Sequence, residues 1–519
     1  MSLDWHALGD VNGAPVHYRK WTVYELPPAS QLTITADTLL SGAPFGGPLA
    51  AISHNPPQRG LTAEHGKGRG PPPAAANSAP MELKIFSSSG TLMARELVRT
   101  ASRVVALGWS DFETLVCVHE DGTCVVHDLW GQAFPPFSLF QGLPQLSAES
   151  LCVVDAKIWG RGLAALTSDW RLVVVDDLGQ IGEHGRHLNQ ALHPSPALSA
   201  GPHGDGAAET QGGGGGSERD LADGVPGELL ESRGGGGGSA GGRLTRVLET
   251  GLSGGGATRR STKRVLSMAV LPPHFTASND LEVILATSDN TLLVCDSSGC
   301  EDQRLADRLP APVTMMSVAP NGRFMACFMA NGLLSVMLTS LSAKILDFDT
   351  NSTQKPLQME WCGEDAVILS WHDFFLLIGP FGHWLQFPYD GSPHHVVPEA
   401  DGVRIFTDLT CELLQRVPPE VEAIKQMFST EPAALLFDAM ERLEEGDASA
   451  DDSLRALGQE PGAMARAVPS CIKAAAHDFD PKEQKRFLAA ANYGMQAPRL
   501  APDLEEEDLE EEDLEEEDL

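Results

Sequence analysis

The sequence contains no C-x-x-C pair, no apolar stretch near the length of a membrane span and no excess of basic residues. Nine cysteines, at 117, 124, 152, 295, 300, 327, 362, 411 and 471, lack the spacing of a zinc site or a disulfide framework and read as buried thiols in a reducing compartment. Clusters such as Phe374 to Ile378 are too short to cross a bilayer, and Met1 to Asp10 shows no basic region followed by an apolar core. The expectation is a soluble, cytosolic chain, in which the sequon Asn351-Ser352-Thr353 meets no glycosylation machinery. With 37 basic against 71 acidic residues the net charge is −34, which disfavours nucleic acid or an anionic lipid surface as the primary ligand.

What is present is length and turns. The 519 residues leave room for roughly two to four domains, and 52 glycines with 36 prolines point away from an all-helical chain. Two inserts stand out: 55–80, rich in Pro, Gly and Ala, and 194–262, with pentaglycine runs at 212–216 and 234–238. No aromatic residue lies between Trp170 and Phe275, so the second insert lacks the apolar surface to offset ordering entropy and is expected to be a disordered loop.

Outside the inserts one unit recurs: an apolar strand, a gap, a second strand, a tight polar turn and a third strand. It is clearest in Val104 to Trp109, Leu115 to Val118, the turn Glu120-Asp121-Gly122, and Cys124 to His127. Asp-Gly between β-branched runs favours a hairpin because both turn residues tolerate positive φ. A second copy runs Val313 to Val318, Phe324 to Met329, Asn331-Gly332 and Leu333 to Leu338. Looser copies are Leu151 to Val154 with Leu163 to Leu166 and Leu172 to Val175, the stretch Arg264 to Ser298, and Leu357 to Trp361 with Ala366 to Trp371 and Phe374 to Ile378. Hairpins sustained over this length exceed a sandwich of about seven to nine strands and predict a mainly β chain, a β-propeller over 1–418.

After Val417-Pro418-Pro419 the apolar period becomes helical: Val421, Ile424, Met427 and Phe428, then Leu435, Leu436, Ala439, Met440 and Leu443, then 463–476 and 481–493. These helices, over 419–495, read as the opening of an α-solenoid whose further repeats are replaced by acidic copies in a disordered tail over 496–519. Ala433 to Met440 and Ile472 to Ala476 would then face an unoccupied position.

The sequence motifs point to no catalytic, cofactor-binding or metal residue, and to no cofactor. Ser253 sits in a literal G-x-S-x-G, but within the glycine-rich insert rather than on the strand-to-helix turn a nucleophile elbow needs. His394-His395 lack a third ligand and read as a surface or rim pair. Arg259, Arg260, Lys263 and Arg264 read as the solvated end of the linker, and Trp109, Trp361, Trp371 and Trp384 as core. The competing class is a propeller-type hydrolase or oxidoreductase with polar groups converging on the channel.

Several stretches resemble, in order, the amino-terminal half of the subunit-sixteen family of the vacuolar protein sorting class C core, shared by the HOPS and CORVET tethering complexes. They are Tyr18-Arg19-Lys20, Ala43 to Ala50, Leu83 to Ser87, Val104 to Gly131 and, most specifically, Val397 to Phe406. The resemblance implies a propeller, most simply seven-bladed, leading into an α-solenoid. It implies a non-enzymatic scaffold that joins other class C core subunits and is peripheral on late endosome and lysosome or vacuole membranes, acting in vesicle tethering, membrane fusion and intracellular protein transport. In that family the distal solenoid holds the SM-type SNARE regulator; with that part replaced here, the expectation is that this chain alone does not hold the regulator stably.

Overall fold

A computed structural model describes residues 5–11, 14–26, 32, 34–35, 38–54, 81–98, 102–141, 151–179, 245–252, 263–304, 309–389, 393–447, 449–478 and 480–500. The two pentaglycine runs, Ser253, Arg259, Arg260 and the acidic repeats lie outside the described residues.

The described strands form seven antiparallel sheets. Blade one is β3 (Leu39–Gly42), β4 (Leu49–His54), β5 (Met81–Phe86) and β6 (Leu92–Val98), and blade two is β7 (Val104–Trp109), β8 (Leu115–His119), β9 (Thr123–His127) and β10 (Phe137–Ser138). Blade three is β11 (Val153–Trp159), β12 (Gly162–Thr167), β13 (Leu172–Val175) and β14 (Thr245–Leu248); blade four is β15 (Val265–Leu271), β16 (Glu282–Thr287), β17 (Leu292–Cys295) and β18 (Cys300–Asp302). Blade five is β19 (Val313–Val318), β20 (Phe324–Met329), β21 (Leu333–Leu338) and β22 (Lys344–Asp349); blade six is β23 (Gln358–Cys362), β24 (Ala366–Ser370), β25 (Phe374–Ile378) and β26 (Trp384–Pro388). Blade seven joins both ends of the propeller: β27 (His394–Pro398), β28 (Gly402–Thr407) and β29 (Thr410–Arg416) pair in order, then β29 takes β2 (Ala14–Glu25), which takes β1 (Trp5–Val11). The first strands of successive blades touch around a ring that closes from β27 back to β3.

The local chemistry explains the repeat. Gly122 and Gly332 take φ +80° and +86° at the hairpin turns, where a side chain would be strained. In blades three and four the turn is a Thr-Ser-Asp unit: Thr167 Oγ1 donates to Asp169 at 2.5 Å and accepts from the Arg171 N–H at 3.0 Å, and Thr287 does the same with Asp289 and Thr291 at 2.5 and 3.3 Å. Middle strands β8, β12 and β24 are buried on both faces because neighbouring blades cover them. Tryptophans near the ends of inner strands tie blade to blade: Trp109 Nε1 donates to the Ser41 carbonyl at 3.0 Å and Trp361 Nε1 to the Ser317 carbonyl at 3.1 Å.

Among the described residues five helices follow: α1 (Pro419–Lys425), α2 (Pro432–Glu444), α3 (Ala450–Gly458), α4 (Ala463–His477) and α5 (Pro481–Leu500). Several sequence expectations are corrected here. Helix α1 ends before Met427 and Phe428, which are exposed, with Phe428 at φ +63°. The face at Ala433 to Met440 is covered: Ala433, Leu436, Phe437 and Met440 pack with Cys471, Ala474, Phe487 and Ala490 of α4 and α5, and Ile472 is left outside that cluster, half exposed. Strand β14 lies within the 194–262 span expected to lack structure; its Val247 and Leu248 join the apolar layers on either side of blade three. Trp384, on the outermost strand of blade six, is exposed rather than core.

Candidate interaction groove at the ring closure

Strand β2 alternates its side chains between two jobs. Tyr18 is buried in the core shared by blades six and seven, and Lys20 donates from Nζ to Glu412 Oε2 at 3.0 Å and to the Tyr389 hydroxyl at 3.3 Å. The intervening residues face the helices. His17 Nδ1 lies 2.6 Å from Glu422 Oε1, Arg19 Nη1 donates to Asp478 Oδ2 at 3.0 Å, and the Val417 N–H donates to the His17 carbonyl at 2.8 Å. Both side chains of the Arg19–Asp478 pair are largely removed from water, so removal of either leaves a buried charge uncompensated. The helical unit is therefore keyed to the closing strand by charge as well as by apolar contact, with Trp5 packed against its core.

Between this seam and the helices runs a groove of about 940 Å³. Arg19, its guanidinium 4.6 Å from the Trp21 ring, lines it with Trp21 and Lys425; Glu399, Asp478 and Glu483 line it with negative charge; Phe45 and Val23 are exposed apolar lining residues. Burial, with the Arg486 charge adding, pushes the Lys425 ammonium down to about 8 against the opposing pull of Asp478, while its Nζ pairs with Glu483. The groove thus combines ion-paired side chains of both charge signs with the exposed aromatic ring of Phe45.

One buried ion pair anchors the blade-one side. Arg404 Nε donates to Glu399 Oε1 at 2.5 Å, Nη1 to the Gly47 carbonyl at 2.8 Å and Nη2 to the Ala43 carbonyl at 3.0 Å, while Glu399 Oε2 accepts from the Gly46 N–H at 2.9 Å. The stretches Ala43 to Ala50 and Val397 to Phe406, far apart in sequence, thus meet at the seam.

The inner strands carry other titratable groups of note. Glu360 on β23 lies within the electrostatic reach of Lys157 on β11, across the ring; burial pushes its carboxyl up to about 7 against Lys157 and a 3.5 Å hydrogen bond from Ser317 Oγ. His395 on β27 is pushed down to about 4 by burial and sits 3.2 Å from Gln358 Nε2. His394 is not a surface residue: it is buried on the other face of the strand, 2.9 Å from Ser370 Oγ and stacked on Tyr389. Lys263 pairs with Asp289 at 2.6 Å. Among the described residues no group of three or more His, Cys, Asp or Glu is arranged to hold a metal ion, and no helix is long and apolar enough to cross a membrane.

Arg404, Glu399, Arg19 and Asp478 belong to no catalytic or metal-binding sequence motif. Arg19, Glu399 and Arg404 do lie inside the stretches that carry the family resemblance.

The family model described as Vps16, N-terminal region, matches residues 2–184 and 267–504. Among curated relatives, Protein VACUOLELESS1 of Arabidopsis thaliana is 27% identical over 95% of this chain and 48% of its own length. The vacuolar protein sorting-associated protein 16 homologs of Dictyostelium discoideum and Drosophila melanogaster are each 25% identical over 87% of this chain and 44% of theirs. The chain spans about half the length of these relatives.

Proposed function

The chain belongs to the Vps16 N-terminal-region family, and from that membership we propose that it acts as a protein-binding scaffold within a class C core, in an endosomal and vacuolar or lysosomal tethering complex of HOPS or CORVET type. The observation that carries the reading is the family match on both sides of the glycine-rich insert, into the last helix. The groove at the ring closure supports it by supplying charge of both signs and exposed apolar side chains, the composition of a protein-contact surface. In this reading the chain is not an enzyme, its partners are the other class C core subunits rather than nucleic acid, and it reaches late endosome and vacuole membranes peripherally, through the complex.

The test is affinity purification of the tagged chain from its own cells at native expression, with mass spectrometry of what accompanies it. Recovery of the other class C core subunits in near-equal amounts is expected; their absence from a soluble, folded preparation overturns the proposal.

A further inference from the structure

Cys295 ends β17 and Cys300 begins β18, and the two are direct partners in the antiparallel register. The Asp296 N–H donates to the Gly299 carbonyl at 2.9 Å, so 296 and 299 form the hydrogen-bonded pair. The next pair outward, 295 and 300, is then of the non-hydrogen-bonded kind, in which opposed Cα atoms are closest and side chains lean together. The sulfurs lie 2.8 Å apart, with the Cys295 S–H directed at Cys300. The turn between them is held by its own bonds, Asp296 Oδ1 accepting from the Ser298 and Gly299 N–H groups at 2.7 and 3.0 Å, so joining the sulfurs asks no large backbone movement. Other thiols are differently engaged: Cys117 lies against His127, Cys362 against the Leu414 carbonyl and Cys471 against the Ala433 carbonyl.

The pair is asymmetric in exposure: Cys295 is fully buried and Cys300 half-buried. The S–H directed at it draws the Cys300 thiol below its ordinary range, against burial and the charges of Asp296 and Asp302, and the same contact with burial holds Cys295 up. An accessible, more acidic thiol beside a buried partner is the arrangement of an attacking and a resolving cysteine.

We infer that Cys295 and Cys300 are a redox couple that closes to a disulfide when Cys300 meets a hydroperoxide. The Cys300 thiol gives its proton to water and the thiolate attacks one peroxide oxygen; an S–O bond forms, the O–O bond breaks, and the leaving hydroxide recovers that proton as water, leaving a sulfenic acid. Cys295 sulfur then attacks the Cys300 sulfur, its proton going with the departing hydroxide as water. With hydrogen peroxide two thiols become one disulfide and two waters, the peroxide accepting both electrons. The bond pins β18, the outermost strand of blade four, beside the apolar layer between blades three and four that Cys295 helps to form.

The test uses the full chain, purified reduced, exposed to hydrogen peroxide, then denatured and alkylated before tryptic mapping. Residues 265–304 form one tryptic peptide whose only cysteines are this pair. We expect that peptide to appear two hydrogens lighter and unalkylated, with dithiothreitol restoring double alkylation. Cys295→Ser should leave a Cys300 sulfenic acid that dimedone captures, and Cys300→Ser should leave Cys295 reduced. A doubly alkylated peptide after peroxide, as in the untreated chain, overturns the inference, as does oxidation of Cys295 undiminished by Cys300→Ser; the first readout needs no variant.

Discussion

Arg404 donates to the carbonyl of Gly47 at 2.8 Å, so that β28, the second-last strand of the propeller, grips the first hairpin of blade one across the seam where the ring closes. Its partner Glu399 is equally buried, and both lie in the stretch Val397 to Phe406. Removing one member of such a pair strands the other charge. Arg404→Ala is expected to cost about 3–5 kcal/mol and Arg404→Lys, which keeps the charge but loses the fork, about 1–3 kcal/mol. Chemical denaturation with hydrogen exchange localised to 39–54 and 394–407 measures both; a neutral Arg404→Ala would contradict the role assigned to the clasp.

Asp478→Ala should free the helical unit from the closing strand. It leaves the Arg19 guanidinium facing the helices without its carboxylate, a loss of about 3–5 kcal/mol for a buried pair. Hydrogen exchange is expected to rise in 463–477 and 481–500 while β12 in blade three stays protected.

The two inter-blade tryptophans predict matching losses. Trp109→Phe and Trp361→Phe each remove one indole hydrogen bond to a carbonyl of the preceding blade, about 1 kcal/mol apiece. Because the two sites sit in blades two and six, the double variant should lose the sum. Thermal or urea melts of the three proteins give the comparison.

Glu360 makes stability depend on pH. Its carboxyl is raised from 4.5 to about 7 in the folded chain, so the folded state binds the proton more tightly. That contribution is present below pH about 4.5 and is lost as pH rises through about 7. Glu360→Gln removes the penalty and should stabilise the chain by about 1–2 kcal/mol at pH 8, with little effect at pH 5. Melting curves at the two pH values decide it; equal effects at both would contradict burial as the cause.

Legibility in the sequence followed the range of the interaction. Strands β19, β20, β21 and β25 fall on the apolar runs that the sequence shows, with Asn331-Gly332 marking the turn between β20 and β21, because each hairpin is specified by neighbours. Strand β11 runs to Trp159, beyond the short apolar run at its start, since Asp155 and Lys157 are polar positions of an inner strand. The pairing of β2 with β29 leaves no local trace: Tyr18 opposes Arg416, and periodicity carries no information about a partner at the other end of the propeller. Trp384 and Met427 show the converse limit, apolar residues at regular spacing whose element lies at a rim or has already ended. The interaction groove was hidden for the same reason, since Arg19, Glu399 and Asp478 come together only through the closure.

The most direct test mixes the purified chain with the other recombinant class C core subunits and reads the mass of what elutes together by size exclusion with light scattering, at near-physiological salt. The scaffold account predicts a stoichiometric complex that Asp478→Ala weakens, since the helices then lose their seat on the closing strand. Elution of the folded wild-type chain alone, with every core subunit present, would contradict it.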